Sequence, residues 1–92
     1  MKQMLAKITV KGRVHGVWFR AFTRNIAREL KLNGWVKNQS DGTVYTEVTG
    51  SRPQIGKLIH YLTVGPELSQ VDDVSVKWEK PDHLEKGFYI QY

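Results

Sequence analysis

The stretch Gly12-Arg13-Val14-His15-Gly16-Val17-Trp18-Phe19-Arg20 gathers the residue types needed to hold an oxyanion. Glycine reaches positive φ without a steric penalty. A turn carrying Gly12 and Gly16 just ahead of a helix can therefore point several backbone N–H groups into one concavity, a nest suited to phosphate. Arg20 falls in the first turn of that predicted helix, where a cation opposes the macrodipole at a cost of a few tenths of a kcal/mol. An anion seated between the guanidinium and the helix end offsets this cost. On these residues alone the alternative is that Gly16 only shapes a tight turn and Arg20 lies in solvent, and the spacing leaves both open.

Other chemistries fit less well. A Walker A loop needs Gly-x-x-x-x-Gly-Lys followed by Ser or Thr, whereas Gly16 precedes Val17 and Trp18 and no Asp stands nearby to hold magnesium. His15, His60 and His83 fall in a loop, a predicted helix and a polar loop, without the one-face pairing of a metal site. Ser40, Ser51, Ser69 and Ser75 lack a nucleophile-elbow context and suit turns, caps or exposed strand positions. The absence of Cys excludes thiolate nucleophiles, thiolate metal ligands and disulfides. No metal and no cofactor is expected.

The elements that must position this segment are legible from periodicity. Ala6, Ile8 and Val10 alternate with Lys7, Thr9 and Lys11, the pattern of a half-buried strand ending near Val14. From Trp18 to Lys31 the period becomes helical: Phe19, Phe22, Ile26 and Leu30 form the apolar stripe, with Arg20, Thr23, Arg24, Arg28 and Lys31 opposite. Asn33 and Gly34 are expected to supply a left-handed C-terminal cap, after which Trp35 to Gln39 is extended. Asp41-Gly42 marks a hairpin between that strand and Thr43 to Thr49. Ser51 with Gln54 reads as a capping box opening a second helix, whose stripe is Ile55, Leu58, Ile59 and Leu62 and which ends at Gly65-Pro66. Val74, Val76 and Trp78 alternate in a further strand. A polar loop from Pro81 to Gly87 leads to a last strand, Phe88 to Tyr92, with Phe88, Ile90 and Tyr92 facing the core. The order is βαββαβ plus one extra C-terminal strand. Two helices with single apolar stripes must cover one face of a mainly antiparallel sheet, which makes a two-layer α+β sandwich.

The 92 residues allow one domain, residues 1–92, with one core. No apolar run approaches the roughly 18 residues of a membrane span, and the N-terminus lacks a signal-like apolar block, so the expectation is a cytoplasmic protein without membrane contact. The formal charge of +5 is unevenly placed. Seven bases and no acid precede Glu29, while residues 29–92 carry seven bases and nine acids, so attraction for anions is confined to the first third.

Gly12-Arg13-Val14-His15-Gly16-Val17-Trp18-Phe19-Arg20 resembles the first acylphosphatase signature, and Gly34-Trp35-Val36-Lys37-Asn38 with Gly42, Val44 and Gly50 resembles the second. The resemblance runs from about Leu5 to Tyr92 and implies a ferredoxin-like fold. It implies hydrolysis of a small acyl phosphate by a monomeric enzyme, with inorganic phosphate as product and competitor and no specific nucleic acid as partner. Arg20 and the backbone amides of about His15, Gly16, Val17, Trp18 and Phe19 are then the phosphate-binding groups. Asn38 orients the attacking water. The family usually has Gln where this chain has His15, whose charge could alter phosphate affinity at low pH. Trp18 occupies a position the family leaves variable and is expected to cover the loop. Two rivals share the fold. One is an RNA-binding module, for which Lys86 to Tyr92 loosely resembles a strand motif, one residue short and in the wrong strand. The other is a non-catalytic docking domain of the kind found at the front of larger maturation enzymes, against which the short chain argues.

Overall fold

The computed structural model describes residues 2–83 and 85–92; Met1, and Leu84 of the expected polar loop, lie outside the described residues. The chain runs β1 (Gln3–Arg13), α1 (Phe19–Glu29), β2 (Asn33–Asn38), β3 (Val44–Ser51), α2 (Arg52–Val64), β4 (Gln70–Glu79) and β5 (Phe88–Gln91). The strands form one sheet in the order β4-β1-β3-β2-β5, antiparallel except for the β2–β5 pair. This is the ferredoxin-like α+β sandwich with its extra edge strand.

Alternation sets the core. Ala6, Ile8 and Val10 of β1 are fully buried and pair with Val48, Thr46 and Val44 of β3. The same rows continue into β2, where Gly34, Val36 and Asn38 pair with Val48, Thr46 and Val44. Asn38 therefore stands on the core-facing side of the sheet, two residues beyond the buried Val36. α1 packs over β2 and β5, while α2 packs over β1, β3 and β4. Ile55, Leu58 and Leu62 of α2 are fully buried, each worth about 1.5–3 kcal/mol relative to exposure.

Several local expectations are corrected. The buried face of α1 is Phe19, Thr23 and Ala27, so Thr23 belongs to the inner side; its hydroxyl is satisfied by donating to the Phe19 carbonyl at 2.9 Å. The helix closes in a Schellman arrangement, with Lys31 N–H bonded to Arg28 O and Leu32 N–H to Ala27 O, and the left-handed residue is Lys31 at φ 58°. Asn33 and Gly34 already belong to β2. Gly34 is glycine because a Cβ there would lie 1.9 Å from the Glu47 carbonyl oxygen of the neighbouring strand. The capping box does not close. Ser51 caps α2 without a side-chain bond, and the Gln54 amide reaches the Leu30 carbonyl instead, at 3.4 Å. In β5, Phe88 is fully buried, which removes it from any base-stacking surface, whereas Tyr92, just past the strand, is fully exposed rather than part of the core.

Candidate active site

β1 and β2 both run antiparallel to β3, and β5 runs parallel to β2, so these three strands end at the same edge of the sheet. Chain direction alone thus gathers the loop after β1, Asn38 at the end of β2, and Tyr92 just past β5. The β1–β3 ladder stops at Val10, and a register shift between Lys11 and Gly12, with Gly12 at φ 133°, bends the end of β1 while it stays paired with β4 through Arg13. The loop then passes the start of β3, where the His15 ring meets Thr43, to reach α1.

Buried Val14 and Val17 anchor that loop. Between and after them Gly16 takes φ 70° and Trp18 φ 67°, while Val17 keeps a negative φ. Such alternation of sign aims successive N–H groups toward one side. At Trp18, which caps α1, the left-handed conformation costs about 1–2 kcal/mol for a residue with a Cβ. The helix N-terminus adds its own free N–H groups, and no acid occupies the first turn. Arg20 sits in that turn. Its guanidinium lies 5.0 Å from the centre of the Tyr92 ring, and none of the ion pairs among the described residues involves it.

These groups open onto a cavity of about 230 Å³, smaller than the roughly 300–1,000 Å³ that hold drug-sized ligands. Gly16, Trp18, Phe19 and Arg20, from the loop and the start of α1, line it together with Asn38, Ile90 and Tyr92, from the ends of β2 and β5. Asn38 Oδ1 is buried and has no hydrogen-bond partner among the described residues. A buried acceptor left unpaired costs about 1–3 kcal/mol, and Asn38 Oδ1 is free to accept from a donor that enters the cavity.

Of the residues expected to bind, Gly16, Trp18, Phe19, Arg20 and Asn38 come together. His15 and Val17 are not among the residues that line the cavity. The His15 ring turns to the β2–β3 turn, where Nε2 lies 2.8 Å from the Thr43 carbonyl oxygen; since the carbonyl can only accept, Nε2 carries the proton. That N–H is present in both the neutral tautomer and the imidazolium. The turn is itself braced, because the Thr43 hydroxyl and backbone N–H both donate to Asp41 and hold its carboxyl below the usual Asp range. His15 thus ties the loop to the hairpin that carries Asn38. A glutamine offers an equivalent N–H, so His15→Gln is expected to keep kcat/KM within about threefold, whereas His15→Ala loses a bond worth roughly 1 kcal/mol. Steady-state kinetics with urea unfolding of both variants checks this. Trp18, expected to cover the loop, stands at the cavity mouth and is 62% exposed. Tyr92 is the cavity residue that alternation assigned elsewhere. Neither His60, on α2, nor His83, beside Asp82 and Glu85, is among the residues that line the cavity.

Fold and cavity together define a ferredoxin-like sandwich whose sheet end carries a cationic recess edged by a helix N-terminus. Known proteins specify it further. The acylphosphatase family model matches residues 6–90. The chain is 46% identical over 90 residues to the acylphosphatase of Chloroflexus aurantiacus, covering 98% of each. It is similar to the crystal structure of acylphosphatase from Bacillus subtilis, with a TM-score of 0.94 and 35% identity over 97% of this chain and 99% of that one. It also matches 12% of full-length HypF, crystallised in a phosphate- and nucleotide-bound form, with a TM-score of 0.91 and 33% identity over 99% of this chain. The chain belongs to the acylphosphatase family.

Proposed function

We propose that hydrolysis of the carboxyl–phosphate bond of small acyl phosphates, the activity of this family, is carried by a division of labour across the cavity. The main-chain amides of His15 to Phe19 and the Arg20 guanidinium hold the phosphoryl oxygens. Asn38 orients the water. The oxygen of that water attacks phosphorus, the bond to the carboxylate oxygen breaks with its electron pair leaving on the carboxylate, and the water proton passes to a phosphoryl oxygen. Carboxylate is stable as an anion at neutral pH, so no general acid is needed to expel it. Phosphoryl transfer is largely loose, which reduces the protein's task to positioning and charge stabilisation. Arg20 suits that task through its planar fork of donors.

The observation that carries this assignment is the unpartnered Asn38 Oδ1 at a cavity that Arg20 also lines. The test is hydrolysis of benzoyl phosphate with inorganic phosphate as competitor. Competitive inhibition and a rate unaffected by EDTA are expected; non-competitive inhibition by phosphate contradicts the shared cradle. We further assign residues 1–92 as one monomeric catalytic domain acting in the cytoplasm. The lack of cysteine supports a reducing compartment, and among the described residues no helix is long and apolar enough to cross a membrane.

A further inference from the structure

The cavity has two chemical halves. Gly16, Arg20 and Asn38 supply polar groups, while Trp18, Ala21 and Ile90 present apolar surface to the same space. The phosphoryl group occupies the first half in the proposed reaction, on which the present inference rests. In-line displacement then constrains where the rest of the substrate goes: the leaving carboxylate departs opposite the attacking water, hence away from Asn38. The loop's side chain at that mouth is Trp18.

Two costs at Trp18 are unexplained by folding. A large aromatic ring is 62% exposed, and its backbone is held left-handed at φ 67°, a conformation that a side chain makes unfavourable. Neither the core nor the helix cap gains from the indole, since the cap position makes no side-chain hydrogen bond. A ring that stacks on substrate accounts for both. We infer that Trp18 is the wall of an acyl-group subsite and makes the enzyme selective for acyl phosphates with an aromatic acyl group over those with a small aliphatic one. Offset stacking of two rings favours the aromatic substrate by roughly tenfold.

The experiment measures kcat/KM for benzoyl phosphate and for acetyl phosphate in the wild-type enzyme, Trp18→Gly and Trp18→Phe, and reads the ratio of the two substrates, which cancels any common loss from disturbance of the loop. Glycine takes positive φ freely, so Trp18→Gly is expected to fold, and a thermal melt verifies this. The benzoyl-to-acetyl ratio is expected to fall roughly tenfold in Trp18→Gly and to be largely retained in Trp18→Phe. An unchanged ratio in Trp18→Gly overturns the subsite, and an equal fall in Trp18→Phe overturns its aromatic character. A wild-type enzyme that hydrolyses neither substrate strikes instead at the proposed activity, and the acyl subsite falls with it.

Discussion

Arg20→Gln is expected to lower kcat/KM for benzoyl phosphate by about 10³-fold and to abolish inhibition by inorganic phosphate, with little change in stability. The size follows from the number and kind of bonds lost. Two charge-assisted hydrogen bonds from one guanidinium to a dianion contribute about 1.5–3 kcal/mol each, and their loss together spans roughly 10² to 10⁴ in rate. The small stability change follows from opposing terms. Removing a cation from the first turn of α1, which holds no acid, returns about 0.3–1 kcal/mol of dipole energy. Losing the contact of Arg20 with the Tyr92 ring at 5.0 Å takes away about 0.5–1 kcal/mol. Arg20→Lys keeps the charge and loses the planar fork, and is expected to fall between the two. Kinetics with phosphate inhibition, paired with urea unfolding, checks all three quantities; a large stability loss with phosphate inhibition intact contradicts the assignment of Arg20 to the phosphate.

How much of this was legible in the sequence depends on which force decides each residue. The sheet rows were readable because burial follows a period of two, and Ala6, Ile8 and Val10 are indeed all fully buried. The helical stripe was readable only to within one position. Hydrophobicity favoured Phe22 and Ile26 over Thr23, but Thr23 can spend its hydroxyl on its own helix at Phe19 O and so tolerates the interior. Gly34 looked like a cap because glycine serves both caps and close approaches; the Glu47 carbonyl that excludes a side chain there comes from a different strand. The Ser51–Gln54 pattern failed for the same reason, since Leu30 O, 24 residues earlier in the chain, competes for the Gln54 amide. Tyr92 shares the phase of Phe88 and Ile90, yet β5 ends at Gln91 and leaves the ring outside the core. The site itself left two local signals: a cation in a helix's first turn, and the polar Asn38 in phase with Val36, where a core-facing row calls for an apolar side chain. What no spacing shows is that β1, β2 and β5 end at one edge, because that depends on strand pairing.

The phase of Asn38 leads to the second large effect. Asn38→Ala is expected to reduce kcat by about 10²-fold or more while leaving the inhibition constant of inorganic phosphate within about threefold. The split follows from the proposed division of labour, in which the loop and Arg20 hold phosphate and the amide acts on the water. A structural role for Asn38 would be to satisfy the hairpin backbone, but other groups do that work: Asp41 accepts from Thr43, and the Gln39 N–H bonds to the Thr43 carbonyl at 2.9 Å. Asn38 Oδ1, by contrast, is buried with no partner among the described residues. Truncating it removes a desolvated, unpaired acceptor, so Asn38→Ala is expected to be as stable as the wild type or more stable by up to about 1 kcal/mol. Loss of turnover with gain of stability is the signature of a group kept for chemistry at the fold's expense. Urea unfolding and single-turnover hydrolysis of benzoyl phosphate measure the two halves independently. A variant that loses both stability and phosphate affinity would make Asn38 part of the scaffold and return the orientation of water to the phosphate-binding loop.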